Sequence, residues 1–206
     1  MSPRPYQLGR RQEGTDETRK RILAAARALL AAGEGFSGFT MEAVAKKANV
    51  ARMTVYYQFE SKARLLEAVG ESLAERALVE RLQDAFRQPV ALDALEALVR
   101  AFAHFWSAER LVIRRFRAVA ALDPELAPTL RGLDGRRRGG LTVMLQRLAA
   151  ARAAPAPDAD DPLLDLLFML TSFEAFDLLA GDARTPEEVA PLVLGLVRQA
   201  LGFATL

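Results

Sequence analysis

Cysteine does not occur in these 206 residues, and histidine occurs once, as His104. The first absence excludes disulfides and thiolate chemistry. With a single imidazole and no cysteine, the chain has no metal-ligand spacing, and neither a phosphate loop nor a nucleophile elbow is present. No metal or cofactor is expected, and little in the sequence supports an enzyme. Apolar runs stay well short of the roughly eighteen residues that a membrane span needs. No signal peptide precedes the charged N-terminus, so a cytoplasmic location with no membrane partner is the expectation. Strand-like alternation and internal repeats are also missing, which leaves helices.

Half of the residues are apolar, enough for a sizeable core in one domain or two small ones. The net charge is only +2, but it is unevenly placed. Residues 1–62 hold 11 Lys and Arg against 6 Asp and Glu, for +5, and the remainder is negative by 3. A basic end is an electrostatic footprint for phosphate if a binding motif lies there, and a chance solvated cluster if none does.

A motif does lie there. Residues 39–62 read as two short helices joined by a tight turn, the geometry that places a second helix in a DNA major groove. Thr40 is an N-cap, Val44, Ala45 and Ala48 form a buried face, and Asn49 takes the corner, where positive φ is needed. On the second helix Val55 and Phe59 turn inward. Arg52, Met53, Thr54, Tyr56, Tyr57 and Gln58 are left outward, a set of donors and rings without a carboxylate.

This segment resembles the DNA-binding domain of the tetracycline-repressor (TetR) family. The residues that carry the likeness are Thr-Val-Tyr-Tyr-Gln-Phe-Glu-Ser-Lys at 54–62, the pairs Val44-Ala45 and Asn49-Val50, and an upstream helix with Ile22, Ala26 and Leu29. It covers roughly residues 15–70; beyond that only the layout of helices agrees. Ala51 stands where the family usually has a hydroxyl, Asn49 replaces the usual glycine, and Gln58 replaces the common His or Tyr. The first departure removes one expected phosphate contact.

About nine helices are expected, in an all-α fold. Residues 1–14 read as a flexible basic arm, 15–62 as the helix-turn-helix DNA-binding domain, and 63–206 as a helical ligand-binding and dimerisation bundle. Arg4, Arg10 and Arg11 in the arm either reach a flanking minor groove or only keep the terminus soluble. The first helix should start at Thr15-Asp16-Glu17, and Ser61 should cap a fourth helix that continues to Pro89. Asp123-Pro124, Asp161-Pro162 and Thr185-Pro186 mark later helix starts, the last with a capping box completed by Glu188. The segment 162–180 is apolar on every side, and the one after 186 nearly so. Such helices must be covered all round, by a second copy of the chain or by full burial in a monomer. A homodimer is also what the resemblance implies.

Small-molecule sites in helical bundles are mostly apolar with a few polar groups. Phe102, Phe105, Trp106, Phe116, Phe168, Phe173 and Phe176 either line such a cavity or only fill a core. His104, Arg114, Arg117, Glu174 and Asp177 are the candidate polar partners. The carboxylates of Glu174 and Asp177 interrupt an apolar helix and need a cation, either an arginine of a second subunit or a cationic ligand. Arg136-Arg137-Arg138 reads as a solvated, kinked helix segment.

What the resemblance implies is a ligand-responsive transcriptional regulator, a repressor released from a two-fold symmetric operator on double-stranded DNA by a small, largely apolar effector. Arg52 would read guanine, and Thr54 and Tyr57 bases or nearby backbone, with Met53 on the same surface. Thr40, Tyr56, Gln58 and Lys62 would hold phosphates. Two alternatives stay open: a constitutive DNA-binding protein without an effector, and a helical carrier or enzyme that retains the motif.

Overall fold

Helix signals account for most of the observed elements. The computed structural model describes residues 6–32, 38–155, 158 and 161–203, and no strand occurs among them. Its helices are α1 (Tyr6–Ala32), α2 (Met41–Ala48), α3 (Arg52–Phe59), α4 (Lys62–Ala77), α5 (Val79–Arg87), α6 (Ala91–Ala108), α7 (Arg110–Leu122), α8 (Ala127–Ala151), α9 (Pro162–Leu170), α10 (Phe173–Ala180) and α11 (Pro186–Ala200). They gather into two compact units. One comprises the chain up to Ser72 together with Arg115–Thr129; the other comprises Leu73–Arg114 and the chain from Leu130 onward.

In the first unit α1 packs on α2 and α2 on α3. Ile22, Ala26 and Leu30 of α1, Val44 and Ala45 of α2, Val55 and Phe59 of α3, and Leu65, Leu66 and Val69 of α4 are buried. Arg115 of α7 closes the end of α1, donating to the carbonyls of Leu30 and Ala31. Those carbonyls are among the four that a helix leaves without a partner at its C-terminus. In the second unit α6 packs against α5, α10 and α11. Its inward face carries Leu95, Leu98, Val99, Phe102 and Trp106, and α11 contributes Val189, Val193 and Val197.

Four boundaries depart from the sequence expectation. Helix α1 begins at Tyr6 and not at Thr15. Gly9 and Gly14 disfavour helix, but adding residues to an existing helix costs far less than nucleating one. This takes Arg10 and Arg11 into α1, while Arg4 lies outside the described residues. The expected fourth helix is interrupted at Leu78, whose φ of −125° leaves the helical region with no Pro or Gly to announce it. The expected helix over 162–180 is broken at Thr171-Ser172 into α9 and α10. There the Ser172 hydroxyl accepts from the Ala175 amide at 3.1 Å, and the Thr171 hydroxyl donates to the Leu167 carbonyl at 2.8 Å. Adjacent hydroxyl side chains offer the backbone alternatives to the helical ladder, and here they take them. These two breaks turn nine expected helices into eleven among the described residues. Helix α8 starts at Ala127, four residues after Asp123, which instead accepts from the Glu125 amide in the preceding turn.

Candidate nucleic-acid interface

The turn between α2 and α3 is built as its residues require. Thr40 caps α2, its hydroxyl accepting from the Ala43 amide at 3.0 Å. Glu42 lies in the first turn and Lys46 and Lys47 in the last, each sign matched to the helix dipole. Asn49 takes the left-handed conformation at φ 52°, and the Val50 amide returns to the Ala45 carbonyl at 3.0 Å. Ala51 precedes α3 without a side-chain cap, as expected where a hydroxyl residue is missing. Val55 and Phe59 then lock α3 to the core. Arg19 of α1 holds its far end, donating to the Gln58 carbonyl at 3.2 Å with its guanidinium 4.4 Å from the centre of the Phe59 ring.

The outward side of α3 divides into two ridges. Arg52 and Tyr56, one turn apart, form the first: the guanidinium lies 3.4 Å from the Tyr56 hydroxyl and 5.4 Å from the ring centre. Met53 and Tyr57 form the second and are the most exposed of the large apolar and aromatic side chains on α3, at 74% and 85%. Thr54, Tyr56 and Gln58 are half-buried at its flanks, and Thr40 is exposed at the start of α2. Lys62 is placed differently from a free phosphate ligand. Its ammonium pairs with Asp123 at 3.2 Å and sits 6.0 Å above the Phe39 ring, so Asp123 competes with any phosphate for it.

In the second unit, four of the expected ligand residues come together around Trp106. Phe102 stacks on it with ring centres 5.9 Å apart, Phe105 lies at 4.8 Å, and Phe173 meets it edge-on at 5.7 Å. All four are buried, as is Phe176. The indole nitrogen of Trp106 donates to the Thr171 carbonyl at 3.1 Å, which ties the ring cluster to the break between α9 and α10. Phe116 is buried within the first unit. Phe168 packs elsewhere, its ring 3.9 Å from the Arg137 guanidinium and 5.5 Å from that of Arg138. His104 pairs through Nδ1 with Glu187 in the first turn of α11, at 2.8 Å.

Two charged residues correct the sequence reading. Arg137 is buried and not solvated; it donates to the Phe168 carbonyl and, at 3.0 Å, to the Thr171 hydroxyl. Its neighbour Arg138 pairs with Asp165 at 2.7 Å. Asp177 finds its cations within its own chain. Arg110 Nε lies 2.6 Å from one carboxylate oxygen, and Arg114 grips both oxygens at 2.8 and 3.0 Å. Arg110 also donates to the carbonyls of Asp177, Gly181 and Arg184, closing the end of α10. No sequence signal distinguishes Arg110, Arg114 and Arg137 from solvated arginines, because the groups that fix them, Asp177, Arg184, Phe168 and Thr171 among them, lie 31 to 74 residues away.

Burial alone would raise the Asp177 carboxyl, but the hydrogen bonds from Arg114 and Arg110 outweigh it and hold the group below its ordinary range. A depressed folded-state value contributes stability that is present above the unfolded value, near 4, and is lost as pH falls through the folded one. Asp177→Asn should therefore flatten the loss of thermal stability as pH falls below the ordinary carboxylate range. Parallel melting curves for variant and parent across that window would overturn the assignment.

Five large apolar side chains remain exposed on α9, α10 and α11: Leu166, Met169, Leu178, Leu192 and Leu196. These three helices pack on one another. Among the described residues, no group of three or more His, Cys, Asp or Glu could hold a metal ion, and no helix is long and apolar enough to cross a membrane.

Comparison with known proteins agrees with this geometry. Residues 22–69 match the family described as bacterial regulatory proteins, tetR family. The HTH-type transcriptional regulator UidR of Escherichia coli K12 is 26% identical over 201 residues, covering 90% of this chain and 96% of that protein. A TetR-like transcriptional regulator from Rhodococcus sp. RHA1 superposes with a TM-score of 0.66 at 19% identity, over 90% of this chain and 96% of that one. NalD of Pseudomonas aeruginosa, the secondary repressor of the MexAB-OprM multidrug efflux pump, gives 0.65 at 20% identity, over 91% and 97%. At these identities the two structures speak for the fold, while the domain match and the UidR likeness speak for the role. Residues 22–69, with the helix-turn-helix at 41–59, thus match the DNA-binding domain of TetR-family transcriptional regulators, and the chain as a whole shares the all-helical fold of such regulators.

Proposed function

We propose that the protein is a repressor that binds a two-fold symmetric operator as a homodimer and is released by a small, largely apolar molecule. The observation that carries this reading is the outward face of α3, where Arg52, Met53 and Tyr57 stand exposed on a helix locked from behind by Val55 and Phe59. Residues 15–62 act as the reading head and 63–206 as the effector and dimerisation body. Helix α3 enters the major groove, with Arg52 donating to guanine O6 and N7. Thr40, Tyr56 and Gln58 contact phosphates, and Lys62 joins them by leaving Asp123. Covering the apolar side chains of α9, α10 and α11 by a second copy sets the spacing of the two heads. The effector enters beside the ring cluster of Phe102, Phe105, Trp106 and Phe173, and by linkage it and DNA must oppose each other equally.

Footprinting of the purified protein on DNA flanking its own gene, at near-physiological salt, tests the reading. A protected two-fold symmetric site supports it; weak protection that vanishes with salt and stays unlocalised argues against a specific regulator. On that site Arg52→Ala should cost about 1–3 kcal/mol and relax preference at one base pair per half-site. Unchanged preference in the variant would remove Arg52 as the reader. A constitutive regulator is the second reading, favoured by the packing of three phenylalanine rings around Trp106. Operator DNA that leaves the affinity of every bound compound unchanged would select it.

A further inference from the structure

We infer that the Met53–Tyr57 ridge of α3 reads thymine through its 5-methyl group, so that each operator half-site carries a thymine within about two base pairs of the guanine read by Arg52. The inference rests on the proposed entry of α3 into the major groove and specifies what it meets there. Met53 and Tyr57 are four residues apart, and both stand on the outer side of α3. Side chains at that spacing lie one above the other on a helix. Single exposed apolar residues are ordinary on protein surfaces. Two of them one turn apart on the outer face of an eight-residue helix, beside an arginine bonded to Tyr56, set a thioether and a phenol ring along one ridge instead.

In the major groove the thymine methyl is the apolar feature of the base edges; guanine, adenine and cytosine present acceptors and donors. Cytosine N4 or adenine N6 set against the Met53 thioether would exchange water for a weak sulfur acceptor, so the ridge favours thymine over those bases. Position narrows the choice further. Arg52 and Met53 occupy the first turn of α3, the part of a recognition helix that contacts base edges. Successive residues differ by only about 1.5 Å in rise and about 100° in direction, while base pairs are spaced about 3.4 Å apart. The two side chains therefore reach base pairs that are neighbours or next neighbours.

The experiment uses the full-length protein. Sequences are selected from a random duplex library, and the winning site is resynthesised with deoxyuridine in place of each thymidine in turn, which deletes one methyl group and leaves every hydrogen-bonding edge intact. Affinities are compared at one fixed salt concentration. One position per half-site should weaken binding roughly fourfold, the fold-change corresponding to one buried carbon group. Met53→Ala, at a position too exposed to matter for folding, should bind the thymine site more weakly and no longer distinguish it from its uracil form. Tolerance of uracil at every position, or a Met53→Ala variant that still senses the methyl, overturns the inference while leaving DNA binding in place. Selection that enriches no sequence overturns both together.

Discussion

Replacing Leu178 and Leu192 with glutamate should convert the protein to a monomer in solution and weaken operator binding by about a hundredfold or more. Leu178 on α10 is 83% exposed and Leu192 on α11 nearly half exposed, so charged replacements cost the isolated chain little. Across the proposed two-fold interface each substitution is made twice, burying carboxylates where apolar atoms would meet. Two half-sites bound by one dimer gain an avidity of 10² to 10⁴ over independent heads, and a monomer forfeits it. Sedimentation velocity and operator titration on the same preparation check both halves. A variant that remains dimeric with parent affinity would exclude this face as the interface. A monomer with undiminished affinity would exclude the two-headed reading of the operator.

The second large effect concerns stability. Arg137→Met should cost about 3 kcal/mol, while Arg136→Met, one position earlier, should stay within about 0.5 kcal/mol. Methionine keeps the apolar bulk of Arg137 but not the hydrogen bonds to the Phe168 carbonyl and the Thr171 hydroxyl. Bonds to a charged donor are each worth about 1.5–3 kcal/mol, and these lie at the buried break between α9 and α10. The loss spreads because the Thr171 carbonyl also receives the Trp106 indole, which anchors the ring cluster. Urea denaturation reads the difference as a shift in midpoint at unchanged slope. Equal midpoints for the two variants would mean that Arg137 behaves as the solvated residue its sequence context implies.

That context shows where sequence reasoning stops. Thr40, Asn49, Asp161-Pro162 and Thr185 with Glu188 were readable as helix starts and turns, because each acts on backbone groups two to four residues away. The inward positions Val44, Val55 and Phe59 followed from helical periodicity, and the outward ones were the remainder. Arg137 sits in a run of three arginines, with nothing local to separate it from its neighbours. Asp177 showed that it needed a cation but not that Arg110 and Arg114, more than sixty residues earlier, supply it. Lys62 matched the position of a phosphate ligand, and only the fold revealed Asp123 beside it.

By itself the sequence determined the all-helical class and the helix-turn-helix with its outward face, because these depend on periodicity and on short-range capping chemistry, and the residues at 44–62 carried the likeness to TetR-family DNA-binding domains. Tertiary structure alone decided which of the seven aromatics cluster around Trp106, where the long apolar segment breaks, and which arginines are buried. Those outcomes depend on groups distant in the chain satisfying one another's hydrogen bonds and excluding water. A partner supplied by folding leaves no periodic trace in the residues that receive it.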